Sequence, residues 1–127
     1  MIAHTGILVG DYAKSKEFYT KALAPLGYEF SMESGDACGF KEGGNTSFWI
    51  SAAKTLVPLH VAFEAKDKAS VDAFHKEALK YGATDNGAPG YRVDYWPGYY
   101  AAFILDRDGH NIEAVWFDYS KVKKGKK

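Results

Sequence analysis

The sequence has little of what stabilises secreted proteins or anchors proteins in a bilayer. Cys38 is the only cysteine among the 127 residues, so no disulfide can form within one chain and a reducing compartment is favoured. No apolar run approaches the roughly 20 residues that span a bilayer. The first residues, MIAHTGILVGDY, lack the basic start and long apolar stretch of a signal peptide. We therefore expect a cytoplasmic protein that does not enter a membrane.

An excess of charge of either sign is also missing, because sixteen basic residues balance sixteen acidic ones. Without a broad positive field, nucleic acid is not an expected partner. The one basic run, KVKKGKK at 121–127, is typical of a solubilising tail. Apolar residues make up 46% of the chain and aromatic residues 16%. This composition suffices for a buried core and a cavity that binds a small molecule.

Two histidines occupy the same place in two copies of one pattern. Asp11 follows His4 by seven residues, and Asp67 follows His60 by seven. The same offset of 56 relates further apolar positions, namely Phe18 to Phe74 and Leu23 to Leu79. Internal repetition of this kind predicts two similar structural units. We expect one domain over 1–120, made of units at about 1–55 and 56–120.

Hydrophobic periodicity predicts an α+β fold with the order βαβββ in each unit. β-branched apolar runs predict strands at 2–9 and 58–65, and helical spacing predicts helices that begin after Asp11 and Asp67. The stretch at 83–100, rich in Gly, Pro and aromatics, is predicted to be irregular. Further strands are expected at 28–33, 37–41, 46–52, 99–105 and 111–117.

Strand alternation places three potential metal ligands on one face of the predicted sheet. Val61 and Phe63 would face the helix, so His60 would face the opposite side, and the repeat extends this to His4. The phase of the last strand puts Glu113 there too. Two neutral imidazoles and a carboxylate suit a divalent metal such as Mn, Fe, Ni, Co or Zn, with positions left for water and substrate. The alternative is a metal-free His–Glu network, because a buried unpaired carboxylate would be costly.

The segments around these ligands resemble a known family. The segments H-T-G-I-L-V-G-D-Y, K-E-F-Y-T-K-A-L, H-V-A-F and F-I-L-D-R-D-G-H-N-I-E are similar to the vicinal oxygen chelate superfamily, over about residues 2–117. This superfamily includes glyoxalase I, extradiol dioxygenases, fosfomycin-resistance enzymes, methylmalonyl-CoA epimerase and bleomycin-binding proteins. The resemblance implies two βαβββ modules whose mixed sheets curl around a cavity, and a homodimer. It also implies metal ligands at His4, His60 and Glu113.

The resemblance also limits the reaction that we expect. Matching the hydrophobic alternation puts Trp49 where glyoxalase I carries a Glu or Gln, and an indole can neither ligate a metal nor abstract a proton. Authentic glyoxalase I activity is therefore not expected. The remaining ligand set is closer to that of extradiol dioxygenases, although Phe103 stands where those enzymes would have a Tyr. No residue is assigned as the catalytic acid or base.

Two hypotheses follow for the function. The first is a metal-dependent lyase, isomerase or dioxygenase that acts on a small oxygen-rich substrate. The alternative is a metal-free protein that binds or sequesters a small molecule such as a drug. In both cases Trp49 would wall the cavity, and Tyr99 and Phe103 would share the strand phase of Glu113. Arg92 and Trp96, in the irregular stretch, would close over the cavity, where Arg92 can meet a carboxylate or phenolate.

Overall fold

The computed structural model describes residues 1–122, which form two βαβββ modules and confirm the predicted α+β fold. Module one consists of β1 (Thr5–Val9), α1 (Tyr12–Ala22), β2 (Glu29–Ser34), β3 (Ala37–Lys41) and β4 (Thr46–Ala52). Module two consists of β5 (His60–Glu64), α2 (Lys68–Lys80), β6 (Thr84–Tyr91), β7 (Tyr99–Leu105) and β8 (Asn111–Phe117). Most of the predicted basic tail lies outside the described residues. None of the helices in 1–122 is long and apolar enough to cross a membrane.

Each module contains one four-stranded mixed sheet, and the two sheets have the same topology. Their strand orders are β1-β4-β3-β2 and β5-β8-β7-β6, with the first strand parallel to the last strand of its module. Gly6 lies opposite Trp49 in module one, and Ala62 lies opposite Glu113 in module two. Because Gly6 and Ala62 are related by the 56-residue repeat, Trp49 holds the place in module one that Glu113 holds in module two. The registers thus agree with the hydrophobic alternation.

Aspartates begin both helices, as their places in the repeat predicted. The Asp11 side chain accepts a hydrogen bond from the Lys14 N–H at 3.1 Å, and Asp67 accepts one from the Ser70 N–H at 2.8 Å. Each bond satisfies an amide that the first helical turn leaves without an intrahelical partner. The two helices therefore begin the same number of residues after the two histidines.

One core joins the two modules on the helix side of the sheets. The helices pack against each other, and the Phe48 ring contacts the rings of Tyr19 and Phe63 at centroid distances of 5.4 and 5.0 Å. The sheet faces that point away from the helices are more open. There Leu8 is 43% exposed and Met32 is 50% exposed. The described chain thus buries one face of each sheet and leaves apolar groups uncovered on the other.

The prediction that 83–100 is irregular was wrong over its first half. Thr84–Tyr91 forms β6, an edge strand that pairs only with β7 within the described chain. Its register shifts between Asp85 and Gly87 and again between Gly87 and Gly90. An edge position tolerates Gly, Pro and bulges because one side of the strand needs no ladder partner. The first strand of each module is also shorter than predicted, starting at Thr5 and at His60.

Candidate functional site

A histidine and a glutamate meet on the open face of the module-two sheet. His60 begins β5 and Glu113 lies in β8, and the parallel pairing of these strands brings the two side chains together. The distance from His60 Nε2 to Glu113 Oε1 is 3.0 Å. The Glu113 side chain is only 3% exposed, whereas that of His60 is 50% exposed. The site therefore combines a buried carboxylate with an imidazole that a ligand can reach.

The second ring nitrogen of His60 determines the chemistry of this pair. His60 Nδ1 lies 3.0 Å from the carbonyl oxygen of Asn111. A carbonyl oxygen can only accept a hydrogen bond, so Nδ1 carries the proton of a neutral ring and Nε2 is unprotonated. Two acceptors, Nε2 and Oε1, would then face each other at 3.0 Å. Their repulsion is relieved by a proton held between the two atoms or by a bound metal ion.

Tyr99 orients the carboxylate from the other side. Its hydroxyl donates a hydrogen bond to Glu113 Oε2, which leaves Oε1 directed at His60. Burial of the phenol, together with this hydrogen bond to Glu113, raises the pKa of Tyr99 well above its ordinary value. Tyr99 therefore keeps its proton and remains a donor at neutral pH. This contact places the predicted substrate-binding Tyr99 directly against the predicted metal ligand.

Phe103 and Arg92 lie beside the pair. Phe103 is opposite Glu113 in the β7–β8 hairpin, and its ring lies nearly parallel to that of His60, with the centroids 6.3 Å apart. The Arg92 guanidinium lies 5.3 Å from the Phe103 centroid and donates to the carbonyl oxygens of Gly90 and Ala88 at 2.9 and 2.8 Å. Arg92 is thus held against the site by three contacts. The guanidinium has five N–H groups, so it retains donors for an anionic ligand.

His4, which belongs to module one, does not form a compact set of three ligands with this pair. His4 is exposed before β1 and shares with His60 the lining of a cavity of about 420 Å³. Within residues 1–122, however, the ligand atoms of His4, His60 and Glu113 do not all lie within 4.8 Å of one another. Trp49 lies on the module-one sheet with its ring against Gly39, where an added Cβ would be 3.0 Å from the indole. A single chain therefore brings together two of the three predicted ligands.

A different group in the described chain, Asp106, Asp108 and His110, brings three potential ligand atoms within 4.8 Å of one another. These residues form the β7–β8 turn. Asp106 Oδ1 accepts from the N–H groups of Asp108 and His110, both at 2.9 Å, and Oδ2 accepts from the Tyr19 hydroxyl. One oxygen of Asp108 is buried with no hydrogen-bond partner in the described chain. A metal ion there would compete with bonds that already use both oxygens of Asp106.

His110 is engaged in the same way, by module one and the connection between modules. Its Nδ1 accepts from the Leu59 N–H at 2.9 Å, and its Nε2 donates to the Leu8 carbonyl at 2.7 Å. The ring is fully buried, and both of its nitrogens are used. Since Nε2 carries a proton and Nδ1 an existing bond, neither is available as a metal ligand. The donor set fits a structural junction between modules better than it fits a metal.

An aromatic cage adjoins the His60–Glu113 pair through Tyr99. The cage borders an open cavity of about 420 Å³ whose lining residues are all aromatic, namely Tyr95, Trp96, Tyr99, Phe117 and Tyr119. The sequence predicted Trp96 and Tyr99 but missed the other three. The hairpin register could have identified Phe117, because this residue lies opposite Tyr99 and shares the strand phase of Glu113. Tyr95 and Tyr119 lie outside the strands, where alternation carries no information.

Comparison with known proteins identifies the fold family. The family model of the Glyoxalase/Bleomycin resistance protein/Dioxygenase superfamily matches residues 1–114. A glyoxalase/bleomycin resistance protein from Albidiferax ferrireducens T118 is similar in structure, with a TM-score of 0.80 and 26% identity over 90% of this chain and 97% of that one. No curated protein matches the sequence.

A fosfomycin resistance protein from Listeria monocytogenes has the same fold, with a TM-score of 0.71 and 18% identity over 95% of this chain and 96% of that one. A glyoxalase/bleomycin resistance protein/dioxygenase family enzyme from Burkholderia phytofirmans PsJN is also similar, with a TM-score of 0.72 and 17% identity over 92% and 98% of the two chains. These matches agree with the resemblance found in the sequence. The match over residues 1–114 and the shared fold show that this chain belongs to the Glyoxalase/Bleomycin resistance protein/Dioxygenase superfamily.

Proposed function

We propose that this protein is a divalent-metal-dependent enzyme that acts on a small oxygen-rich substrate, with His60 and Glu113 as metal ligands. The observation that carries the proposal is the pair of acceptor atoms 3.0 Å apart. Ligand atoms that each lie about 2.1 Å from one metal ion, at roughly right angles, are about 3 Å apart. A metal would thus relieve the repulsion without moving either side chain. Mn, Fe, Ni, Co and Zn all accept this mixture of nitrogen and oxygen ligands.

The surrounding residues have distinct tasks in this proposal. A bound metal would supply Lewis acidity toward a substrate oxygen. The Asn111 carbonyl fixes the tautomer of His60, and Tyr99 fixes the direction of the Glu113 carboxylate. Arg92 is placed to pair with a carboxylate, phenolate or similar anionic oxygen of the substrate. These contacts support a lyase, isomerase or dioxygenase reaction.

Glyoxalase I activity itself is not proposed. Trp49 holds the place in module one that Glu113 holds in module two. Its indole nitrogen is a donor only, so this position supplies neither a fourth metal ligand nor a base. The reaction must therefore use an acid–base group other than residue 49.

We further propose that the third ligand, His4, reaches the pair across a homodimer. His4 is exposed, and Leu8 and Met32 leave apolar surface uncovered on the same side of the module-one sheet. A second copy of the chain would cover these groups and bring one module-one sheet over the other chain's module-two sheet. The His60–Glu113 site would then be completed by the His4 of the other chain.

Elemental analysis of the purified protein tests the metal proposal. We expect about one divalent metal per chain, and loss of that metal in both His60→Ala and Glu113→Gln. His75→Ala is the matched control, because His75 lies on α2 and contacts Asp85 at 2.9 Å. Full metal content in His60→Ala and Glu113→Gln would refute the assigned ligands. A metal-loaded protein can then be screened with small diketones, thiol adducts, catechols and fosfomycin.

A metal-free binding protein is the second candidate function. The supporting observations are the aromatic cage and the fact that a protonated His60 would also satisfy Glu113. In that case a chelator would leave both the melting temperature and ligand binding unchanged. If the metal proposal holds, chelation lowers the melting temperature, because a bound metal stabilises the folded state in proportion to its affinity.

A further inference from the structure

The rings of the aromatic cage stand at right angles to their neighbours. Tyr95 and Tyr99 are inclined at 85°, Tyr99 and Phe117 at 82°, Phe117 and Trp96 at 80°, and Trp96 and Tyr119 at 77°. The corresponding centroid distances run from 5.2 to 5.9 Å. A flat ligand would require two parallel rings that form a slot. Perpendicular rings around an open pocket suit a compact, rounded group instead.

The faces of the cage rings are free of the chain's own described cations. Six cation–π contacts occur within residues 1–122, and their rings belong to Phe30, Tyr81, Tyr91, Tyr100 and Phe103. None of these rings is part of the cage. Tyr95 and Tyr119 are 64% and 72% exposed, so the cage is open to solvent. Ring surface that no neighbouring ring covers is therefore available to a ligand that enters the cavity.

We propose that the aromatic cage binds a compact, fully alkylated ammonium group. Such a cation has no N–H groups, so it loses no hydrogen bonds when it leaves water for a cavity walled by rings. A primary ammonium group would lose three. The buried carboxylate of Glu113, which Tyr99 contacts directly, adds negative charge at one wall. Ring geometry, the lack of a described cation on these rings and the nearby charge all favour the same ligand class.

Tyr99 connects this cage to the site proposed above. One side of the residue forms a cage wall, and its hydroxyl holds Glu113. On the basis of the proposed function, the substrate carries a quaternary ammonium group in the cage and an oxygen group at His60 and Glu113. Binding of the cation alone does not depend on the metal, so the two ideas can be tested separately.

Isothermal titration with choline and with 3,3-dimethylbutan-1-ol tests the cage. The two alcohols have the same shape and differ in the positive charge. With chelator-treated protein, we expect choline to bind about tenfold more tightly than the neutral alcohol or better. The Trp96→Leu variant should lose this preference, and Trp96→Phe should retain part of it. His75→Ala, on α2 and in contact with Asp85, should bind choline as the unaltered protein does.

Several results would overturn the proposal. Equal affinity for the two alcohols would make the cage an ordinary apolar groove, and no binding of either would show that it takes no such ligand. Unchanged choline binding in a folded Trp96→Leu protein would place the binding elsewhere. If choline binds but the protein holds no metal, the metal proposal fails and the cage proposal stands. If metal binds and choline does not, the reverse holds.

Discussion

At the residue scale, the arrangement of the site depends on how Glu113 is partnered. The carboxylate is nearly fully buried, with Tyr99 at one oxygen and His60 at the other. A buried carboxylate without partners would be unstable, so Glu113 depends on the Tyr99 donor and on a proton or metal ion between it and His60. The same contacts hold the carboxylate in place before any ligand arrives. Glu113 therefore links the stability of the sheet to its proposed function.

Removing the Tyr99 hydroxyl tests this link. Tyr99→Phe leaves Glu113 Oε2 without its donor while keeping the aromatic ring. We expect the free energy of unfolding to fall by about 1–3 kcal/mol, the usual cost of an unsatisfied buried polar group. Urea unfolding at pH 7 measures this change. Tyr119→Phe, at a side chain that is 72% exposed, should change stability by less than about 0.5 kcal/mol. Equal effects of the two substitutions would contradict the assigned role of Tyr99.

At the element scale, the β7–β8 turn connects the two modules. Asp106 receives the Tyr19 hydroxyl of α1, and His110 joins the Leu8 carbonyl of β1 to the Leu59 N–H. The turn is therefore a set of hydrogen bonds between sequence-distant segments. This role explains why the D-R-D-G-H pattern is rich in potential ligands although both oxygens of Asp106 and both ring nitrogens of His110 are already bonded. These residue types can bind metals, but the side chains of Asp106 and His110 are already used in hydrogen bonds within the fold.

The start of α2 gives a pH-dependent prediction. Hydrogen bonds from Ser70 lower the pKa of Asp67 below its unfolded value of about 3.9. The charged carboxylate therefore adds stability that is fully present above the unfolded pKa and is lost as the pH falls through the lowered pKa. Asp67→Asn keeps an acceptor at the helix start but removes the charge. We expect this variant to be less stable than the unaltered protein at pH 7.

The difference between the two proteins should shrink as the pH falls below about 4, because both then carry an uncharged residue 67. Urea midpoints measured between pH 7 and pH 2.5 follow this change. A stability difference that stays constant or grows toward acidic pH would contradict the proposed contribution of the charged cap.

The elements show which parts of the structure local patterns can predict. Strands β3, β4 and β8 have the predicted bounds because turn sequences rich in Gly or Asp, namely ESGD, KEGGN and DRDGH, come directly before them. Strand β6 does not, since Pro89 and two bulges are tolerated only because the strand lies at an edge. An edge position is a property of the assembled sheet. Composition alone therefore assigned this segment to a loop.

At the scale of the whole molecule, one chain brings together only part of the predicted site. Strand alternation predicted His60 and Glu113 on one face, and parallel pairing of β5 with β8 brings them together. The position of His4 relative to them depends on how the modules and chains pack. No local sequence pattern predicts this packing. For the same reason the sequence missed Tyr95 and Tyr119, whose contact with Tyr99 and Trp96 depends on loop packing.

The open sheet faces lead to the prediction of a shared site in a homodimer. In that arrangement each metal site takes His4 from one chain and His60 with Glu113 from the other. A His4→Ala homodimer lacks the first ligand in both sites, and a His60→Ala homodimer lacks the second. A mixed dimer of the two variants has one site in which both histidines are intact and one in which both are replaced. Sites formed within single chains would each lack one histidine.

Metal content of the mixed dimer is therefore the most direct test. The two variants, carrying different affinity tags, are produced together, and the mixed dimer is isolated by two successive tag purifications before elemental analysis. We expect about one metal per mixed dimer, none in either variant homodimer and two in the unaltered dimer. A mixed dimer without metal, next to an unaltered dimer that holds two, would contradict the shared site.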